Sequence, residues 1–292
     1  MSDLNEQDSY WMDKARVRAS FDRAAQTYDA AAILQKLVRT EMLSRLDLVK
    51  IKPQVILDAG CGTGHGSFAL QKKFSSAQVI SLDIAFGMLQ KTQQQQPLLR
   101  KMFKQKNLIC ADIEHLPLAN SSLGMVWSNL ALQWCNDLDG AFNQIARVLQ
   151  PNGLLMFSTF GPDTLKELRA ATNNGNTHVS RFIDMHDIGD ALTRAGFSAP
   201  VLDVEHYTLT YDDVKSVMKD LKAIGAHNAT AGRARGLQGR GFLQQLAQNY
   251  EQFRVDGKLP ATFEVVYGHA WKSESKPDLG IGVSPITFKT YK

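Results

Sequence analysis

Residues 54 to 66, Gln-Val-Ile-Leu-Asp-Ala-Gly-Cys-Gly-Thr-Gly-His-Gly, hold the densest concentration of chemistry in the chain. Val55, Ile56 and Leu57 form a short, partly β-branched apolar run that predicts a buried parallel strand. Asp58 ends it, and Gly60, Gly62 and Gly64 follow at every second position. Such a loop lets backbone lie directly against a ligand with no Cβ in the way. The following Ser67-Phe68-Ala69-Leu70 starts a helix, so the unit is strand, glycine loop, helix. A second strand, 77–83, ends in another carboxylate, Asp83, 19 residues beyond Gly64. An ionised carboxylate there can accept hydrogen bonds from both hydroxyls of a ribose. Dinucleotide enzymes use the same position, so Asp83 by itself does not choose a cofactor.

The glycine spacing does choose. A dinucleotide fingerprint needs G-x-G-x-x-G. Counting from Gly60 puts the third glycine on His65, and counting from Gly62 puts it on Ser67. Both registers fail. The string D-x-G-x-G-x-G instead resembles motif I of class I S-adenosylmethionine methyltransferases, whose loop passes under the amino-acid part of the cofactor.

Around this unit, apolar runs 108–113, 124–129 and 154–160 alternate with helical segments, giving a doubly wound, mostly parallel sheet. Ligands in such sheets bind outside the carboxyl ends of the strands, which makes Asn129 and Gln133 pocket candidates. Strands at 201–209 and 262–271 predict a closing antiparallel pair. Two helical stretches, about 212–227 and 241–253, lie between them, too long an insertion for a hairpin loop. Upstream, residues 14 to 50 carry helical periodicity.

Composition sets the bounds. The chain has 292 residues and a net charge of +4. No apolar run approaches the roughly 18 residues of a membrane span. The acidic start (Asp3, Glu6, Asp8) lacks the features of a secretory signal. Cys61, Cys110 and Cys135 form no C-x-x-C pair, which fits reduced thiols in the cytoplasm. The histidines are scattered without metal-ligand spacing, so no metal is expected, and no Ser-His-Asp arrangement stands out.

Further strings narrow the resemblance. Phe21-Asp22-Arg23-Ala24-Ala25-Gln26-Thr27-Tyr28-Asp29 is similar to the F-x-x-A-A-x-x-Y-D segment that folds over the cofactor as a lid in several methyltransferase families. Together with LDAGCGTG, SNLALQW, RVLQPNG, FGPDTLKEL, RFIDMHDIGDALTRAGF and AHNATAGRARGLQGR, it resembles the malonyl-acyl-carrier-protein O-methyltransferases of biotin synthesis, over roughly residues 15 to 272. A related group, which includes an arginine-hydroxylating assembly factor of respiratory complex I, shares the N-terminal and core motifs. A SAM-binding assembly factor, a protein-arginine hydroxylase and a small-molecule methyltransferase are therefore the alternatives.

The resemblance implies a Rossmann-like class I methyltransferase fold with a helical cap insertion. Residues 1–50 would be the helical lid, 51–211 with 262–272 the cofactor domain, 212–261 the cap, and 273–292 a tail. S-adenosylmethionine would be held by Tyr28, Asp58, Gly60, Gly62, Gly64, Asp83, Ile84, Met88, Asp112, Ile113, Asn129 and Gln133, with Met88 and Asp112 at the adenine. The reaction implied is methylation of the free carboxylate of a malonyl thioester, on acyl-carrier protein or CoA. A carboxylic acid with a pKa of about 4 is already ionised, so a general base is not needed. A cation is, and Arg181 and Arg169 are the candidates. Arg233, Arg235 and Arg240 could dock an acidic carrier protein. Aromatic residues are not interleaved with them, so a nucleic-acid partner is not expected.

Overall fold

The computed structural model describes residues 11–96, 107–172, 182–224 and 240–274. Seven strands form one sheet in the order β3-β2-β1-β4-β5-β7-β6. They are β1 (Val55–Ala59), β2 (Gln78–Asp83), β3 (Leu108–Cys110), β4 (Leu123–Asn129), β5 (Leu149–Phe160), β6 (Phe197–Tyr211) and β7 (Leu259–Lys272). The first five pair in parallel, and β7 inserts antiparallel between β5 and β6. The order reverses beside β1, with β2 on one side and β4 on the other, and this opens a crevice at their carboxyl ends.

The apolar residues alternate with the pleat, which fixes the register by filling both faces. Ile56, Met125, Trp127, Leu154 and Met156 face one core, while Leu57, Val126, Leu155 and Phe157 face the other. The first core is covered by α3 (Ile33–Leu46), α4 (His65–Lys73) and α7 (Lys166–Thr172). The helices α9 (Val214–Ala223) and α10 (Arg240–Tyr250) cover it as well. Val214, Val217, Leu246 and Tyr250 put the 212–261 segment into this same core. The second is covered by α6 (Leu138–Val148) and α8 (Met185–Arg194). Helix starts are capped by aspartates: Asp137 Oδ1 accepts from Gly140 N at 2.8 Å and Asp184 Oδ1 from His186 N at 2.8 Å.

Two strand boundaries differ from the sequence reading. The third strand stops at Cys110, so Asp112 sits on the loop beyond it. The fifth starts at Leu149 because Pro151-Asn152-Gly153 is carried within the strand, with Asn152 at φ 60°. The helix after β5 starts only at Lys166; residues 161–165 form a tight turn with Leu165 at φ 56°. The N-terminal segment forms α1 (Lys14–Ala24) and the single turn α2 (Tyr28–Ala31), which lie across the crevice, and then α3.

Candidate active site

The glycine loop has its form because two chain segments cross closely. Gly60 adopts φ 77°, and a Cβ on it would lie 2.3 Å from that of Ala131, where the chain leaves β4. Gly62, at φ 54°, has room: its absent Cβ points to open space bounded by the Tyr28 ring at 3.9 Å. Gly64 lies against Thr92 of α5 (Phe86–Gln95), whose Oγ1 donates to Gly62 O at 2.9 Å. Below the loop, the buried Asp58 accepts from Ser67 Oγ at 2.6 Å. Burial pushes its carboxyl up to about 7 despite that hydrogen bond.

Asp83 ties the second strand to the loop. Its Oδ2 accepts from Gly62 N at 2.9 Å and its Oδ1 from Ala85 N at 2.8 Å. Burial raises this carboxyl to about 6, and the two backbone donors oppose the rise. Each oxygen keeps acceptor capacity beyond its one backbone donor.

Gly60, Gly62 and Asp83 form one wall of a cleft. Ile84, Met88, Ala111, Asp112 and Ile113 form a mostly apolar end, and Asn129 to Ala131, Trp134 and Cys135 close the opposite side. The roof is Lys14, Val17, Phe21 and Tyr28. It is held shut from several directions. Lys14 Nζ pairs with Asp112 at 3.0 Å and with Glu114. Phe21 meets Trp134 edge-on at 5.2 Å, and Gly87 N donates to Asp22 Oδ1 at 2.7 Å. Desolvation and the carboxylates of Asp83 and Asp29 hold the Tyr28 phenol well above its ordinary value, so it remains a neutral donor.

Asp58, Gly64 and Gln133 do not line the cleft. Asp58 and Gly64 support the loop from behind. Gln133 sits on a 3-10 turn and faces a second, wider groove, donating to Leu130 O at 2.7 Å. The groove runs past Thr159 and Phe160 to α8, with Phe182 packed on Phe160 at 5.5 Å. Arg169 is in its wall. Its two terminal nitrogens donate to Thr164 O and Pro162 O, so the guanidinium clamps the 161–165 turn, and among the described residues it has no carboxylate within ion-pair distance. Cys135 belongs to both cavities, its thiol pushed up to about 12 by desolvation. A neutral thiol of that kind is no nucleophile. Asp163, His206 and Glu264 bring potential metal-donor atoms within 4.8 Å of one another, but Glu264 already accepts from Asp163 N at 2.5 Å.

A family described as "Methyltransferase domain" matches residues 57–157. A protein of Methylovorus sp. (strain MP688) named malonyl-[acyl-carrier protein] O-methyltransferase is 67% identical over 286 residues, 97% of this chain and 97% of that protein. The chain belongs to the malonyl-[acyl-carrier protein] O-methyltransferase family. The Laribacter hongkongensis member is 56% identical and covers 92% of this chain and 93% of its own. Among solved structures, the YcgJ protein of Bacillus subtilis shares the fold, with a TM-score of 0.56 at 13% identity over 80% of this chain and 98% of that chain. So does a Haemonchus contortus phosphoethanolamine N-methyltransferase 2 in complex with S-adenosyl-L-methionine, with a TM-score of 0.50 at 18% identity over 87% of this chain and 57% of that chain.

In this O-methyltransferase the sequence did not reveal Lys14 or Cys135 as parts of the site, whereas Phe21 opens the lid string and Trp134 follows β4 as a candidate pocket wall. Lys14 and Asp112 are 98 positions apart, and only the lid string hinted at the roof. Arg181, Arg233 and Arg235 lie outside the described residues, and Arg240 is described only as the start of α10. No described helix is long and apolar enough to cross a membrane.

Proposed function

We propose that the protein methylates the free carboxylate of a malonyl group carried as a thioester on acyl-carrier protein, with S-adenosylmethionine as donor. The observation that carries the reading is the junction of the two cavities at Cys135: a roofed cleft, with a carboxylate and glycine loop on one wall and an apolar end, adjoins a wider groove that can take a thioester arm. The Methylovorus relative's name supplies the acceptor.

The cleft residues fit the cofactor. The absent Gly62 side chain leaves a cradle beside Tyr28, and both Asp83 oxygens can accept ribose hydroxyls. Ile84, Met88 and Ile113 supply apolar faces for adenine, and Asp112 an acceptor at its edge. Asn129, held by Ser158 Oγ at 3.0 Å and donating to Gln35 O at 3.2 Å, is a fixed amide at the sulfur end. The bound cofactor supplies a methyl group on a sulfonium, which leaves behind a neutral thioether.

Everything else falls to this chain. The malonyl carboxylate arrives ionised, so the protein positions it, excludes water and balances its charge; no residue has to take a proton. That agrees with the groove, where Thr159 and Gln133 offer neutral hydrogen-bonding groups beside the cleft. Arg181 is our choice for the carboxylate's cation, because Arg169 is occupied by the loop carbonyls and Arg181 precedes Phe182, a groove residue. The lid (1–50) shuts the cleft and the 212–261 segment guides the acceptor, with Arg233, Arg235 and Arg240 contributing charge. The unpaired cysteines suit a cytoplasmic enzyme.

The test is a comparison of acceptors. The enzyme should release S-adenosylhomocysteine with malonyl-carrier protein and none with acetyl-carrier protein, which lacks the free carboxylate. Equal release with both, or with neither, refutes the reading.

A further inference from the structure

The outer face of α9 carries charge that the rest of the fold does not use. Lys215, Lys219 and Lys222 are spaced at i, i+4 and i+7, so they share one side of the helix, and Met218 lies among them, 39% exposed. The opposite side, Val214 and Val217, is buried in the core. None of the three lysines has an ion pair among the described residues. The acids that could have neutralised them are engaged elsewhere. Asp212 pairs with Lys258 at 2.5 Å, Asp213 caps α9 through Ser216 N at 2.7 Å, and Asp220 accepts from Tyr211 Oη at 2.7 Å. The helix packs beside α2, which carries Tyr28 of the cofactor roof.

Cations around an exposed apolar side chain, next to the lid, suit an acidic partner helix with apolar residues of its own. We infer that the α9 face, with Met218 among its lysines, is the docking surface for the acidic carrier protein that presents the thioester. The inference rests on the proposed function, and it adds the α9 lysines to the arginines that contribute charge for the acceptor. A carrier protein docked here delivers its arm from beside the lid, and recognition becomes separable from the chemistry.

The separation gives the experiment. Carrier-protein binding to the full chain is measured by titration calorimetry, and turnover is measured with malonyl-carrier protein and with malonyl-pantetheine, which has no protein to dock. In a Lys215→Glu/Lys219→Glu/Lys222→Glu variant, carrier affinity should fall about tenfold or more, and KM for malonyl-carrier protein should rise in parallel. Turnover of malonyl-pantetheine and binding of S-adenosylhomocysteine should stay unchanged. Raising salt should weaken carrier binding to the unaltered chain more than to the variant. Unchanged carrier affinity in the variant overturns the docking surface, as does equal loss with both thioesters, or a face that takes up anionic vesicles while carrier affinity holds. If the unaltered chain methylates neither thioester yet binds carrier protein in a lysine-dependent way, the function fails and the docking surface stands.

Discussion

Asp83 Oδ2 accepts the backbone N–H of Gly62 at 2.9 Å, so the carboxylate ending β2 and the loop ending β1 are a single hydrogen-bonded unit. The ligand surface is thereby built before any ligand arrives. Asp83→Asn puts an amide where two acceptors are needed, one of its atoms facing a backbone N–H or a ribose hydroxyl as a donor. Affinity for S-adenosylmethionine should fall by about 1.5–3 kcal/mol, the range for hydrogen bonds to a charged group. Calorimetric titration of the variant measures it.

The same carboxyl makes cofactor binding depend on pH. Its value in the free protein is raised to about 6, and hydroxyl donors favour the ionised form, so binding below that pH must release a proton. The dissociation constant should be flat above pH 7 and rise as the pH falls through 6. A curve in Asp83→Asn without that rise assigns it to this group; a flat curve in the unaltered protein between pH 5 and 8 contradicts the assignment.

Asp58 acts on stability. Burial raises its folded value from 3.8 to about 7, so the folded chain retains a proton that the unfolded chain releases. The stabilisation is complete below the unfolded value and is lost as the pH rises through 7. The free protein should therefore melt at progressively lower temperature from about pH 4 to pH 7 and level off above that. Asp58→Asn should reduce that slope to the smaller part contributed by Asp83, which calorimetric scans at several pH values would show.

The two cleft glycines should fail differently. Gly60→Ala combines φ 77° with a 2.3 Å approach to Ala131 and should lower stability by more than the ~1 kcal/mol that a left-handed alanine alone costs. Gly62→Ala, whose Cβ meets nothing closer than 3.9 Å, should cost only about that 1 kcal/mol, while its methyl group intrudes on the cofactor cradle and cuts affinity. Denaturant melts paired with cofactor titrations separate the two effects.

The lid latch predicts a kinetic effect. Lys14→Met removes the pairs to Asp112 and Glu114 and leaves the roof held by Phe21 against Trp134 and by Asp22. S-adenosylhomocysteine should leave faster, by roughly 3- to 10-fold for a part-buried pair. Stopped-flow displacement measures the rate.

What could be read from sequence followed from locality. Alternating glycines after an apolar run define a close approach wherever they occur, so the loop, Asp83 and the parallel sheet were legible. So was the antiparallel pair, although it runs farther at both ends, as 197–211 and 259–272. Gln133 was assigned to the cleft because it follows β4, but it sits on a 3-10 turn and lines the groove instead. Arg169 looked like a free cation because nothing nearby in sequence marks the 161–165 carbonyls as its partners. The Lys14 latch joins segments with no common pattern. Long-range polar pairing of this kind leaves no period to detect.

Intact-protein mass spectrometry tests the central claim most directly. Malonyl-carrier protein is incubated with the enzyme and S-adenosylmethionine bearing a deuterated methyl group. The account predicts a carrier protein heavier by that one labelled methyl, placed by fragmentation on the malonyl carboxylate and removed by ester hydrolysis. An unchanged mass, or a gain of one oxygen instead of the labelled methyl, would contradict it.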